Sequence, residues 1–95
     1  MDLAVVIVTW NVRDLIADAL RSLYADLATS GLDARVYVVD SASSDGTAER
    51  VAAEFPQTHL LRSDVNLGFA RGNNLALKKA GFATPHAPRA AYLLN

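Results

Sequence analysis

A run of apolar, mostly β-branched residues near the start of the chain limits its possible folds most strongly. Leu3 to Thr9 reads LAVVIVT, without the polar alternation of a half-exposed strand. Such a run is typical of a strand that is buried on both faces, as strands of parallel sheets are. Parallel strands need long crossover connections, which are usually helices. The run therefore favours an α/β fold in which strands and helices alternate.

The remaining sequence supplies this alternation. Asn11 is a favourable N-cap residue, and the change of apolar period after it predicts a helix from Val12 that ends at Ser30-Gly31. The apolar stripe of this helix comprises Leu15, Ile16, Ala19, Leu20, Leu23 and Leu27. The later predicted elements are a strand at 35–39 before Asp40, a helix at 47–55 capped by Ser44 or Asp45, a strand at 58–61, a helix at 69–80 and a strand at 90–94.

The order β-α-β-α-β-α-β predicts a doubly wound, mostly parallel, Rossmann-like sheet with right-handed crossovers and strand order 3-2-1-4. The strand order reverses between strands 1 and 4, so a crevice should open at their carboxyl ends. Three polar segments should converge on it: Thr9 to Asn11, Asp40 to Gly46, and Asn95.

Composition narrows the class of protein further. The chain has 95 residues, enough for one domain with a modest core, and its net charge of −1 argues against a nucleic-acid binder. Cysteine is absent, which excludes disulfides and thiolate metal sites and suits a reducing compartment. The longest apolar run, Leu3 to Val8, is far shorter than the roughly 20 residues that span a bilayer. It follows Asp2 rather than basic residues, so no signal peptide is expected.

Two turns carry residues that suit ligand binding. Asp40, at the end of a buried strand, could accept hydrogen bonds from a ribose or a base imide, or could only cap the next turn. Asp45 and Gly46 shape that turn, with Gly46 permitting positive φ. The segment 66–74 (NLGFARGNN) has poor helix formers where a helix should begin, so a ligand could approach its backbone near Gly68. Arg71 could reach a base carbonyl or a phosphate, or could be a solvated charge.

The turn after the first strand also contains candidate ligand-binding residues, and the two histidines are considered as metal ligands. Thr9 and Asn11 either contact a ligand or simply end a strand and cap a helix. Arg13 lies where a helix start disfavours cations, which makes a phosphate partner plausible beside the alternative of a solvated charge. His59 and His86 lack partners at metal-binding spacing and are predicted to lie on the surface.

Several nucleotide-binding and hydrolase motifs are missing. No G-x-G-x-x-G follows the first strand, and the chain contains neither a P-loop nor a G-x-S-x-G elbow.

Taken together, four segments resemble the amino-terminal half of family 2 glycosyltransferases, with the rhamnosyltransferase-like branch closest. They are 5–11 (VVIVTWN), 38–47 (VVDSASSDGT), 66–74 (NLGFARGNN) and 92–95 (YLLN). Each motif alone is weak, but their order and spacing are specific, and together they extend over nearly the whole chain.

This resemblance implies a GT-A fold and inverting transfer of a sugar from a nucleotide-diphosphate donor to an acceptor hydroxyl, as in polysaccharide biosynthesis. It implies that Thr9 and Asp40 contact the nucleotide base, Arg71 lies near the base, and Arg13 lies near the phosphates. Asp45 and Gly46 match the turn that shapes this pocket. Asn11 and Gly68, in the turns beside these residues, complete the predicted nucleotide-binding residues.

The resemblance also implies parts that this chain lacks. The family's aspartate motif, which holds Mg²⁺ or Mn²⁺ on the diphosphate, would follow Asn95, and the catalytic base lies further along. We therefore expect residues 1–95 to be a single, truncated, nucleotide-sugar-binding portion that is inactive alone, with no catalytic or metal-binding residue of its own.

The expected partners are a UDP-, dTDP- or GDP-linked sugar and a carbohydrate or lipid-linked acceptor, without nucleic acid. A homo-oligomer is conceivable through an exposed sheet edge, and the expected location is cytoplasmic or peripheral to the inner membrane. The alternatives are a non-catalytic nucleotide-binding or regulatory α/β module, and an interaction domain without a ligand.

Overall fold

The computed structural model describes residues 1–82, 84–85 and 87–94. Four strands alternate with three helices along these residues, as the sequence predicts. In chain order they are β1 (Leu3–Thr9), α1 (Arg13–Ala28), β2 (Ala34–Ser41), α2 (Thr47–Glu54), β3 (His59–Ser63), α3 (Gly68–Lys79) and β4 (Ala90–Leu94).

The strands form one parallel sheet in the order β3-β2-β1-β4, which confirms the predicted topology. The register of the two central strands places Thr9 beside Asp40, at the carboxyl ends of β1 and β2. The reversal of strand order between β1 and β4 also lies at the carboxyl ends of the strands, so both predicted site residues lie on the side of the sheet where the crevice is expected.

Helices cover both faces of the sheet, because each central strand is apolar on both sides. On one face α1 and α2 pack against the odd-numbered β1 residues Val5 and Ile7. On the other face α3 packs through Ala76 and Ala80 against Ala4 and Val6. The two resulting apolar clusters make β1 and β2 the buried centre of the molecule and hold their carboxyl ends in place.

Close contact between α3 and β1 depends on Gly72. A Cβ atom at this position would lie 2.8 and 2.9 Å from the two methyl carbons of Val8. From the sequence, the glycines of segment 66–74 are expected to let a ligand approach the backbone closely. The described contact assigns Gly72 to helix–strand packing instead.

Two predictions about α1 are wrong in detail. Asn11 is not its N-cap: the helix begins one residue later, at Arg13, with Val12 in the cap position, and Asn11 has φ +50°. Leu15, although part of the predicted stripe, is 72% exposed, and Ala19 is also exposed, since the buried face runs through Ile16, Ala17 and Leu20. The helix is therefore rotated relative to the predicted stripe.

The start of α2 also differs from its prediction. Gly46, with φ +88°, occupies the N-cap position rather than Ser44 or Asp45. The other boundaries agree with the structure to within a few residues: β2 and β3 are longer than predicted, and α3 begins and ends one residue earlier.

The strand β4 lies at an edge of the sheet, outside the cover of the helices. Tyr92 and Leu93, whose side chains point to opposite faces, are both largely exposed. Among the described residues, no helix combines the length and the apolar character needed to cross a bilayer.

Candidate functional site

The centre of the candidate site is a hydrogen bond between the ends of the two central strands. The Thr9 hydroxyl donates to Asp40 Oδ1 at 2.9 Å, and both side chains are almost fully buried. Each residue follows an apolar, largely buried run of its strand, and the strand register pairs the two residues. Asp40 therefore lies under the two turns that follow β1 and β2.

Ser43 joins these two turns. Its hydroxyl donates to Asp40 Oδ1 at 2.6 Å and accepts the N–H of Asn11 at 2.8 Å, while its own N–H donates to Asp40 Oδ2 at 3.1 Å. In return, Asn11 Oδ1 accepts the N–H of Ser44 at 2.8 Å. Asn11 is thus a member of the site, but as a bridge between turns rather than as a helix cap.

The turn after β2 also caps the start of α1. Thr47 Oγ1 accepts the N–H of Val12 at 3.1 Å, and Asp45 Oδ2 accepts the N–H of Arg13 at 3.2 Å. The other oxygen of Asp45 accepts both the N–H and the hydroxyl of Thr47. These bonds supply partners for N–H groups that have no acceptor within their own helix. The two helix starts are therefore fixed to each other.

The same contacts determine the electrostatics of Asp45. The Thr47 hydroxyl, assisted by the N–H groups of Arg13 and Thr47 and opposed by some desolvation, lowers the pKa of Asp45 below its ordinary value. The charged form of Asp45 is thus the form that this turn stabilises.

Asp40 retains one acceptor position. A carboxylate offers about four positions for donors. Thr9 and Ser43 use two on Oδ1, and the N–H of Ser43 uses one on Oδ2. The remaining position, on Oδ2, has no donor among the described residues.

Arg13 and Gly46 lie beside this network. An added Cβ on Gly46 would be 3.5 Å from Arg13 Cδ, and both residues line an open cleft of about 550 Å³ together with Glu49, Arg50 and Glu54. The Arg13 Nε atom lies 3.4 Å from Asp14 Oδ1, and the side chain is about half exposed. The guanidinium is therefore available to a solvent-side anion, although acidic groups share its cleft.

Gly68 and Arg71 belong to a separate group at the start of α3. Ser41, the last residue of β2, donates to Asn66 Oδ1 at 3.0 Å and accepts the N–H of Leu67 at 2.5 Å. Asn66 Oδ1 also accepts the N–H of Gly68, which has φ +74°. Arg71 Nε donates to the Leu67 carbonyl at 3.1 Å.

This second group approaches β2 from the opposite face of the sheet. Within the part of the chain that the structure describes, no hydrogen bond or ion pair links Gly68 or Arg71 to Asp40. The structure thus brings together Thr9, Asn11, Arg13, Asp40, Asp45 and Gly46, whereas Gly68 and Arg71 stay in the separate group at the start of α3.

An apolar cleft adjoins Thr9 at the point where the strand order reverses. Its volume is about 430 Å³, and Trp10, Leu15, Ala19 and Leu94 are among the residues that line it. Trp10, half exposed, forms a wall of this cleft rather than part of the core. Asp40 does not line it, whereas Thr9 and Val12, which both bond within the polar network, do.

The described residues do not form a metal site. They contain no group of three or more His, Cys, Asp or Glu side chains that could hold an ion. His59 is exposed, as predicted, and its ring stacks on that of Tyr37 with 4.8 Å between centroids. The predictions for His86 and Asn95 lie outside the described residues.

Ser43, Thr47, Ser41 and Asn66 are absent from the predicted site set although the structure gives them central contacts. Their signal in the sequence was the density of hydroxyl and amide side chains in turns that follow buried strands. Asn73 was also missed: it is 4% exposed, and neither polar atom of its amide has a hydrogen-bond partner in the described structure.

Comparison with known proteins identifies the family. Searches of curated proteins and of solved structures gave no significant match. The family model described as Glycosyl transferase family 2 matches residues 4–81, which contain β1 except its first residue, β2, β3, all three helices and both polar turns. The chain belongs to glycosyl transferase family 2.

Proposed function

We propose that this chain is the donor-nucleotide-binding part of an inverting glycosyltransferase with a GT-A fold. In such an enzyme a sugar passes from a nucleotide-diphosphate donor to an acceptor hydroxyl. The proposed nucleotide-binding residues are Thr9, Asn11, Arg13, Asp40, Asp45, Gly46, Gly68 and Arg71. Membership of the rhamnosyltransferase-like branch belongs to the same proposal and rests on the sequence resemblance.

The single observation that supports this function best is the free acceptor position on Asp40. The carboxylate is buried, held by three donors from Thr9 and Ser43, and located at the carboxyl end of a central parallel strand. Ligands of open α/β sheets bind at this end, next to the reversal of strand order. An anchored carboxylate with one open position can recognise a single ligand N–H group.

This chemistry favours some bases over others. Uracil, thymine and guanine present a ring N–H, whereas the matching ring nitrogen of cytosine or adenine is an acceptor and would face the carboxylate without a proton. We therefore propose UDP-, dTDP- or GDP-linked donors. In this proposal Arg13 binds the diphosphate and Arg71 lies near the base, two roles that rest on the sequence resemblance.

Isothermal titration calorimetry with UDP, dTDP, GDP, CDP and ADP tests this function. At least one of the first three should bind the wild-type chain more tightly than CDP and ADP do. Asp40→Asn should weaken that binding by about tenfold or more, because an amide nitrogen replaces one acceptor and the charge is lost.

A matched control separates binding from folding. Asp26 is exposed, and its side chain has no hydrogen bond among the described residues, so Asp26→Asn should bind like the wild type. Equal affinity of all five nucleotides, or no binding at all, would contradict the proposed function. Thermal unfolding of each variant shows whether the chain is folded at the titration temperature.

Catalysis is a separate part of the proposal. We propose that the chain alone binds the nucleotide without turnover, and a sugar-nucleotide hydrolysis or transfer assay tests this. Mg²⁺ or Mn²⁺ on the diphosphate stays a prediction, and the described residues do not offer a group of three or more His, Cys, Asp or Glu side chains that could hold it. The carbohydrate or lipid-linked acceptor and the cytoplasmic or membrane-peripheral location also stay predictions.

A further inference from the structure

Ser43 makes three hydrogen bonds around Asp40, two through its hydroxyl and one through its main-chain N–H. The hydroxyl donates to Asp40 Oδ1 and accepts from the Asn11 N–H, and the main-chain N–H donates to Asp40 Oδ2. One residue therefore holds both oxygens of the carboxylate and the turn on the other side of the site.

These bonds fix the plane of the Asp40 carboxylate. Without the Ser43 hydroxyl each carboxylate oxygen would keep one donor, Thr9 on Oδ1 and the N–H of residue 43 on Oδ2, so the Ser43 hydroxyl is the third restraint on the orientation of the group. The direction of the open position on Oδ2 depends on this plane. The contact at 2.6 Å has the length expected of a charge-assisted O–H donor.

Ser43 also lies between two unusual backbone positions. Asn11 has φ +50° and Ala42 has φ +62°, and they are the non-glycine residues with positive φ among the described residues. Such conformations persist where surrounding contacts hold them, and they concentrate at functional sites. Ser43 bonds to the first of these residues and directly follows the second.

We infer that Ser43 is a positioning residue that sets base selectivity by orienting Asp40. This inference rests on the proposed nucleotide-binding function and adds a residue that does not itself touch the nucleotide. It implies that loss of the Ser43 hydroxyl weakens discrimination between bases more than it weakens overall nucleotide binding.

The test measures two dissociation constants, that of CDP and that of whichever of UDP, dTDP and GDP binds the wild type most tightly. It uses four chains, which are the wild type, Ser43→Ala, Ser43→Thr and Ser44→Ala. In Ser43→Ala the affinity for the preferred nucleotide should fall about tenfold, while the affinity for CDP changes little. Ser43→Thr retains the hydroxyl, so the ratio of its dissociation constants for CDP and for the preferred nucleotide should equal that of the wild type. Ser44→Ala retains the main-chain N–H and removes a hydroxyl that makes no described hydrogen bond, so its ratio should also equal that of the wild type.

The outcomes are distinguishable. A wild-type chain that binds none of the nucleotides, or does not discriminate among them, overturns the proposed function and this inference with it. A discriminating wild type with an unchanged ratio in Ser43→Ala overturns the inference alone, as does an equal loss of affinity for both nucleotides. If Ser43→Ala does not fold, Ser43→Cys, with its weaker donor, should show an intermediate ratio, and a wild-type ratio in that variant contradicts the inference.

Discussion

Protonation of Asp45 should affect the stability of the folded chain. Its pKa is lowered by the Thr47 hydroxyl and by nearby N–H groups, so folding favours the charged carboxylate. The stabilisation is present above the ordinary carboxyl pKa of 3.8 and is lost as the pH falls through the lower pKa of the folded chain. Asp45→Asn should reduce stability above that range and flatten its decline within it.

Urea unfolding at a series of pH values from neutral to acidic measures this dependence. Asp26→Asn serves as the control because its side chain lacks the hydrogen bonds that surround Asp45. A decline of stability in Asp45→Asn as steep as in the wild type would show that other carboxylates cause the acid sensitivity.

Gly72 should not tolerate a side chain, because its Cα lies against Val8. An alanine Cβ would meet both Val8 methyl groups at under 3.0 Å, and such overpacking costs about 1–3 kcal/mol. Over most of this range the cost exceeds the gain of about 1 kcal/mol from higher helix propensity. Urea denaturation should therefore show a less stable Gly72→Ala chain.

Two further variants test the cause of that loss. Asn74→Ala changes an exposed position of the same helix and should not destabilise the chain. Adding Val8→Ala to Gly72→Ala should recover part of the lost stability. If the double variant is less stable by the sum of the two single changes, the contact is not the cause.

At the residue level, the sequence predicted which side chains reach the site better than it predicted what they do there. Thr9 and Asp40 could be placed because a strand end is a local feature. Asn11 belongs to the same polar network, but its predicted cap role is wrong, because its bond to Ser44 depends on the neighbouring turn.

Among the helices and strands, α1 is capped by residues of another part of the chain, the turn before α2. Thr47 is fully buried, accepts the N–H of Val12 and donates to Asp45. Thr47→Val keeps the side-chain shape but leaves these groups unpaired, which should cost about 1–2 kcal/mol of unfolding free energy. Chemical denaturation followed by circular dichroism measures both the stability and the helix content.

Thr29→Val provides the comparison, because the Thr29 hydroxyl bonds to a main-chain carbonyl at an exposed helix end. Its effect should stay within about 0.5 kcal/mol. Similar losses in the two threonine variants would argue against a special role for the Thr47 bonds.

For the whole molecule, the uncovered edge of the sheet predicts self-association. Tyr92 and Leu93 of β4 are exposed, and an unpaired apolar edge strand is able to pair with a second copy. Sedimentation velocity should show an association that increases with protein concentration. Leu93→Lys should shift the population towards monomers by placing a charge at the edge.

Leu32, which is exposed in the connection between α1 and β2, supplies a control away from this edge. Leu32→Lys should associate as the wild type does. A wild-type chain that stays monomeric over the whole concentration range would contradict the prediction.

Sequence alone determined the order of the elements, the parallel sheet, and the location of Thr9 and Asp40 at the carboxyl ends of two of its strands. These properties follow from apolar periodicity and from where a buried strand ends, which are local. Only the tertiary structure decided which face of α1 is buried, that Gly72 packs on Val8, and that Ser43 and Thr47 bond to residues 32 and 35 positions earlier. Such contacts depend on how two distant turns meet, and the type of a residue does not specify its partner.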